Sequence, residues 1–150
     1  MDATTSTRAS TLPVSVAAAW AALTAGGAGP HWYSSGPFAF RSALDRTLGG
    51  APPAAPPDRS LQPGDRAHLW DVVAADPFVL ELRARVRAPG TVTLRTSLEA
   101  AGAGCRLVQQ VRFSPDGALG TAYLLADLPA RELLLTLVHR RTCAEARRGT

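Results

Sequence analysis

Between Phe78 and Arg87 the chain alternates in polarity with a regularity that one local structure satisfies. Phe78, Leu80, Leu82, Ala84 and Val86 share one parity, while Glu81, Arg83, Arg85 and Arg87 share the other. A period of two sends successive side chains to opposite faces, so this segment predicts a half-buried antiparallel strand. Its apolar face must be covered by something.

The flanking sequence predicts more strands of the same kind. Arg66 to Ala75 reads as a strand after the turn Gln62-Pro63-Gly64-Asp65, and Asp76-Pro77 reverses it into the alternating segment. Pro89-Gly90 leads into Thr91 to Glu99, with Val92, Leu94, Thr96 and Leu98 inward. Gly102-Ala103-Gly104 then leads into Cys105 to Phe113, where Leu107, Gln109, Val111 and Phe113 share a face. Connections this short force an antiparallel meander. Asp71 beside Arg83 and Arg85 predicts a cross-strand ion pair on the outer face, worth a few tenths of a kcal/mol, or ~0.3.

The period changes after Ser114-Pro115-Asp116-Gly117. A helix from about Ala118 carries Leu119, Ala122, Tyr123 and Leu125, and Pro129 interrupts or kinks it. A last helix reaches about Arg147, with Leu133, Leu134, Leu137 and Val138 as its apolar stripe and arginines suited to its C-terminal dipole. Only these helices are long enough to cover the sheet. The expected fold is therefore α+β, a curved antiparallel sheet wrapped around a long C-terminal helix, with a mostly apolar cavity between them.

The N-terminal third is less regular. The Thr- and Ser-rich first ten residues are either loose or, from Ser6 to Leu12, an edge strand. Pro13 starts a short Ala-rich helix through Leu23, which Gly26-Gly27-Ala28-Gly29-Pro30 stops. An aromatic loop from His31 to Gly36 precedes a second short helix, from Pro37 through Phe38, Phe40, Leu44 and Leu48 to Gly49-Gly50. The proline-rich stretch from Ala51 to Pro63 lacks amide hydrogens that an inner strand needs and predicts an extended surface loop.

A chain of 150 residues suits a single domain over residues 1–150, burying roughly 70% of its unfolded surface. No apolar run approaches the roughly 20 residues of a membrane span, and the N-terminus lacks a signal-peptide pattern, so a cytoplasmic location is expected. Every basic residue is arginine, and the net charge is +4. No segment interleaves aromatic and basic residues as a base-stacking platform does, so dispersed solvated charge is expected rather than nucleic-acid binding. Cys105 and Cys143 have neither metal nor redox spacing and read as buried free thiols.

The three histidines, His31, His68 and His139, lack partners at metal-ligand spacing. There is no nucleophile elbow, phosphate-cradling loop or dinucleotide fingerprint, so no cofactor or metal is expected. What remains is polar groups on inward faces. His68 shares a parity with Trp70 and Val72 and is a candidate general acid or base, with a rim histidine bonded to backbone as the plainer alternative. Gln109 has only apolar neighbours on its face and must bury an amide that needs partners, from a ligand, a water or a neighbouring loop. Trp70, Trp32, Tyr33, Tyr123, Leu107 and Val111 are the candidate ligand-binding wall.

The ordered segments resemble a known family. They are Leu44-Asp45-Arg46 with Gly49-Gly50; Gly64-Asp65 with Trp70 and Val72; Leu82-Arg83-Ala84 with Pro89-Gly90; and Arg106-Leu107-Val108-Gln109. Phe113, Pro115, Gly117, Leu119-Gly120, Tyr123 and Leu128-Pro129 complete the set. The family belongs to the START-like superfamily, which is polyketide-cyclase-like and birch-pollen-allergen-like, and its members are often fused to short-chain-dehydrogenase-like domains. The resemblance runs from about Trp32 to Leu135. It implies the helix-grip fold and an apolar small-molecule partner, with the chain a monomer or homodimer. The implied function is a cofactor-independent cyclase of a polyketide-like intermediate; the alternative is a non-catalytic carrier or sensor of a lipid-like ligand. The chain departs from the family's pattern in having fewer aromatics around Ser34-Ser35-Gly36 and Leu124-Leu125, which implies a roomier pocket. It also has His68 where an acidic residue is common, and prolines rather than arginines at Ala51 to Pro57.

Overall fold

The computed structural model describes residues 4–27, 30–34, 53–84, 90–115 and 117–148, with side chains of the C-terminal helix described at 117 and from 132 onward. The strands are β1 (Thr4–Leu12), β2 (Arg66–Ala67), β3 (Trp70–Asp76), β4 (Val79–Ala84), β5 (Gly90–Ala101) and β6 (Gly104–Pro115). The helices are α1 (Val16–Leu23) and α2 (Gly117–Arg147). The strands form one antiparallel sheet in the order β1-β6-β5-β4-β3-β2, curved around α2 in the helix-grip arrangement.

The alternation in the sequence becomes the two faces of this sheet. Leu80 and Leu82 of β4, Leu94, Thr96 and Leu98 of β5, and Leu107, Gln109 and Phe113 of β6 are all buried. Arg83, Arg95 and Arg112 lie on the outer face and are exposed. The long hairpin β5–β6 keeps one register throughout, setting Thr96 opposite Gln109 and Leu98 opposite Leu107. The first residues are not loose: β1 pairs along its whole length with β6 and forms one edge of the sheet.

Three expectations need correction. The strand read as Arg66 to Ala75 is two strands, because the chain reverses at His68-Leu69 and β2 pairs back on β3. His68 takes a φ of 56°, a left-handed conformation that no run of alternating polarity encodes. Further along, β3 carries a register shift between Val72 and Ala74, which turns Val73 outward at 39% exposure.

The second correction concerns α2, one continuous helix through Pro129 rather than two. The third concerns its stripe. Leu133, Leu134 and Leu137 are exposed, at 62%, 42% and 41%, whereas Leu135, Val138, His139, Thr142, Cys143 and Ala146 are buried. With leucine at three consecutive positions, several helix phases look equally apolar. The phase that wins gives His139 and Thr142 hydrogen-bond partners in the sheet.

At the N-terminal end, Ser15 rather than the preceding proline caps α1, accepting the Ala18 N–H at 3.1 Å. Thr24, not a glycine, closes the helix. Gly26 serves close packing instead: a side chain there would meet the Pro57 and Arg59 carbonyls at 2.1 and 2.2 Å. That contact seats the described part of the proline-rich loop, where Gly27 and Leu61 donate to Pro57 and Thr24 at 2.7 and 2.8 Å. The expected helix at residues 37–48 lies outside the described residues, as do Arg85 and Val86.

Candidate functional site

Gln109 is fully buried, and its three hydrogen bonds all run to other side chains. The Thr142 hydroxyl donates to the Val138 carbonyl at 2.8 Å, so its oxygen can only accept from Gln109. The amide nitrogen must therefore take that side, donating to Thr142 Oγ1 at 3.0 Å and to Thr96 Oγ1 at 3.1 Å. Its carbonyl oxygen is thereby turned to His139 Nδ1, 3.0 Å away. Nδ1 carries the proton, which leaves Nε2 as the acceptor nitrogen of a neutral imidazole.

Two hydroxyl or thiol groups meet that nitrogen. Ser10 Oγ lies 2.7 Å from His139 Nε2, and Cys143 Sγ lies 3.6 Å away. Burial pushes the His139 pKa below its usual value, and the Arg8 charge adds to the effect, so the ring is neutral near pH 7. Burial pushes the Cys143 thiol up, partly offset by its hydrogen bond with Ser10 and by Arg147. The chain of bonds Ser10, His139, Gln109 and Thr142 thus joins the edge strand, the helix and the middle of the sheet. It continues as a polar seam: Ser6 donates to Glu132, and Arg8 reaches Glu132 Oε2 at 2.8 Å and Thr136 Oγ1 at 3.3 Å.

A second buried polar region sits where the aromatic loop meets α1 and the far strands. Trp32 Nε1 donates to the Leu23 carbonyl at 2.9 Å, Tyr33 OH to Ala25 at 2.9 Å, and Trp70 Nε1 to Tyr33 at 2.9 Å. The His31 ring stacks on Tyr33 with centroids 4.9 Å apart, and its Nε2 lies 3.0 Å from the Gly27 carbonyl. Glu145 of α2 accepts the Trp32 N–H at 2.8 Å; burial raises its pKa, with Trp32, His31, Arg148 and Arg141 opposing. Burial, then Glu145, raises the Tyr33 pKa beyond its ordinary range.

The structure brings Trp32, Tyr33 and Trp70 together, with their polar atoms bonded to main-chain carbonyls. Leu107 and Val111 share the inner face of β6 with Gln109; Leu107 is fully buried and Val111 half-buried. Tyr123 lies outside the described side chains. His68 stands apart from Gln109, on the turn between β2 and β3, with β5 and β4 intervening between β6 and β3. Its main chain exchanges hydrogen bonds of 2.7 and 3.0 Å with Ala54. Asp71 faces Arg83 in register and lies 3.9 Å from Arg66 in an ion pair, while Arg85 lies outside the described residues.

The sequence reading missed Ser10 and His139. Ser10 is 129 positions from its partner, and both faces of β1 are polar, so no periodicity marks it. Among the described residues no three His, Cys, Asp or Glu side chains gather as a metal site, and no helix is long and apolar enough to cross a membrane. A polar groove of about 250 Å³, lined by Thr5, Glu81, Thr93, Arg95, Gln110 and Arg112, lies on the opposite face of the sheet.

Residues 4–137 match the model of a family described as a protein of unknown function, DUF2867. The chain belongs to this family. No curated protein matches it. Among solved structures, DUF2867 as represented here is similar to an uncharacterised protein from Rhizobium leguminosarum, with a TM-score of 0.60 and 17% identity over 98% of this chain and 96% of that one. It is similar to Ara h 8.0201, with a TM-score of 0.54 and 15% identity over 96% and 97% of the two chains. The di-domain ARO/CYC BexL from the BE-7585A biosynthetic pathway has a TM-score of 0.50 and 13% identity, covering 98% of this chain and 50% of that one. These likenesses establish the START-like helix-grip fold of this DUF2867 chain.

Proposed function

We propose that the chain binds an apolar, oxygenated small molecule between sheet and helix and acts on it as a cofactor-independent cyclase of polyketide-like intermediates. The observation carrying this reading is the neutral His139, locked by Gln109 with its Nε2 unprotonated, beside an inner face of leucines. The fold shared with Ara h 8.0201 and with the ARO/CYC protein BexL supports a ligand space in this place. In this reading His139 serves as the acid–base group, supported by the hold of Gln109 on its ring, while His68 lies apart on the turn between β2 and β3.

In such a cyclisation His139 Nε2, directly or through Ser10, takes a proton from a methylene flanked by two carbonyls. The resulting carbanion attacks a ketone carbon of the same chain, and the proton returns to the new alkoxide oxygen. Holding the flexible chain folded supplies most of the acceleration, up to about 7–11 kcal/mol for ideally oriented partners. The positioned base adds about 10²–10⁴-fold.

The test is incubation with a linear poly-β-ketone N-acetylcysteamine thioester, followed by mass spectrometry. Expected is a cyclised product above the protein-free background, reduced about 100-fold in a folded His139→Leu variant. Thioester bound but recovered unchanged would instead identify a carrier.

A further inference from the structure

The cluster holds more than a base. We infer that Ser10, His139 and Gln109 form a nucleophile–base–orienter triad, with Ser10 accepting an acyl group from an activated ester or thioester. This inference uses the same residues as the proposed cyclase but does not depend on that reading.

A serine is a poor nucleophile until a neutral imidazole lies within hydrogen-bond reach and is itself held in the right tautomer. Both conditions are met here, by Ser10 Oγ at 2.7 Å from Nε2 and by the Gln109 carbonyl at 3.0 Å from Nδ1. An amide can orient the imidazole this way only if its oxygen, not its nitrogen, faces Nδ1. The commitment of Thr142 to the Val138 carbonyl enforces that choice. A cysteine–histidine pair completed by an amide side chain is a known working version of this arrangement.

Ser10 rather than Cys143 is the nucleophile on geometry. It makes the shorter contact and is partly exposed on the edge strand, whereas Cys143 is 5% exposed and 3.6 Å from the ring.

In the reaction Ser10 Oγ bonds to the acyl carbon and its proton moves to His139 Nε2. The bond from that carbon to the leaving oxygen or sulfur breaks, and Nε2 passes the proton to the leaving group. Water then attacks the ester, gives a proton to Nε2, and the proton returns to Ser10 Oγ as the acid departs.

The experiment treats the full chain with an alkyl fluorophosphonate and maps the adduct by tandem mass spectrometry. One adduct per chain on Ser10 is expected, absent in Ser10→Ala and slowed about 100-fold or more in His139→Leu. Should Ser10→Ala fail to fold, Ser10→Cys replaces it, and iodoacetamide should alkylate position 10 rapidly only while His139 is present. An unmodified Ser10 in the folded protein under excess probe, or labelling that survives His139→Leu, overturns the triad. The labelling uses no polyketide substrate, so its failure and that of the cyclase reading remain distinguishable.

Discussion

Among the described residues two regions bury polar side chains, and they satisfy them in opposite ways. In the aromatic corner, Trp32, Tyr33 and Trp70 each give their one hydrogen to a main-chain carbonyl. Such acceptors neither titrate nor swing away, so the corner works as an anchor holding loop, helix and far strands together. In the Gln109 chain, side chain bonds to side chain, and the members include a titratable ring and a hydroxyl. Bonds of that kind can transfer a proton. The difference separates residues that fix the fold from residues able to do chemistry inside it.

The comparison can be broken at the anchor first. Trp70→Ala removes a large buried side chain and leaves the Tyr33 carbonyl unmet, so it should cost about 3–5 kcal/mol in urea unfolding. A loss under about 1 kcal/mol would mean that the corner anchors little.

Next in size is the chain itself. Gln109→Leu orphans the His139 Nδ1–H and should cost about 2–3 kcal/mol. Gln109→Leu combined with His139→Phe should recover part of that loss, because replacing both partners removes the orphaned group. A double variant no more stable than the single one would deny the pairing.

The pH dependence sharpens the contrast, since the two regions respond with opposite sign. The lowered pKa of His139 means that its contribution is complete above the usual histidine value and is lost as pH falls toward the lowered one. The raised pKa of Glu145 means that its contribution is present below the usual carboxylate value and is lost as pH rises through the raised one. Thermal unfolding should therefore show His139→Phe losing the decline expected as pH falls below the usual histidine value. Glu145→Gln, which keeps an acceptor for Trp32, should flatten the opposing trend. Unchanged profiles in both variants would show that neither group is coupled to folding.

The smallest effect lies outside both regions. Leu133→Gln, on the exposed side of α2, should change stability by no more than about 0.5 kcal/mol. A larger loss in the same urea experiment would restore Leu133 to the inward stripe read from the sequence.

The sheet was legible because alternation is local. Leu80, Leu82, Leu94, Leu98 and Leu107 each announce their face within a few residues, and the short turns between strands leave one way to pair them. Gln109 was legible as an amide in need of partners for the same reason. The partners were not, because Thr142 and His139 reach it from a helix 33 and 30 positions away, and Ser10 meets His139 from the other end of the chain. The phase of α2 was hidden by its run of leucines, and the reversal at His68 by a backbone conformation that side-chain pattern does not report.

By itself, then, the sequence determined the inward faces of β4, β5 and β6, their antiparallel pairing and the helical character of the segment that covers them, all consequences of polarity repeating over short distances. Only the tertiary structure decided which face of that helix points inward and which histidine stands beside Gln109. Those choices depend on hydrogen bonds between residues distant in the chain, and buried donors and acceptors select their partners only once the sheet has closed around the helix.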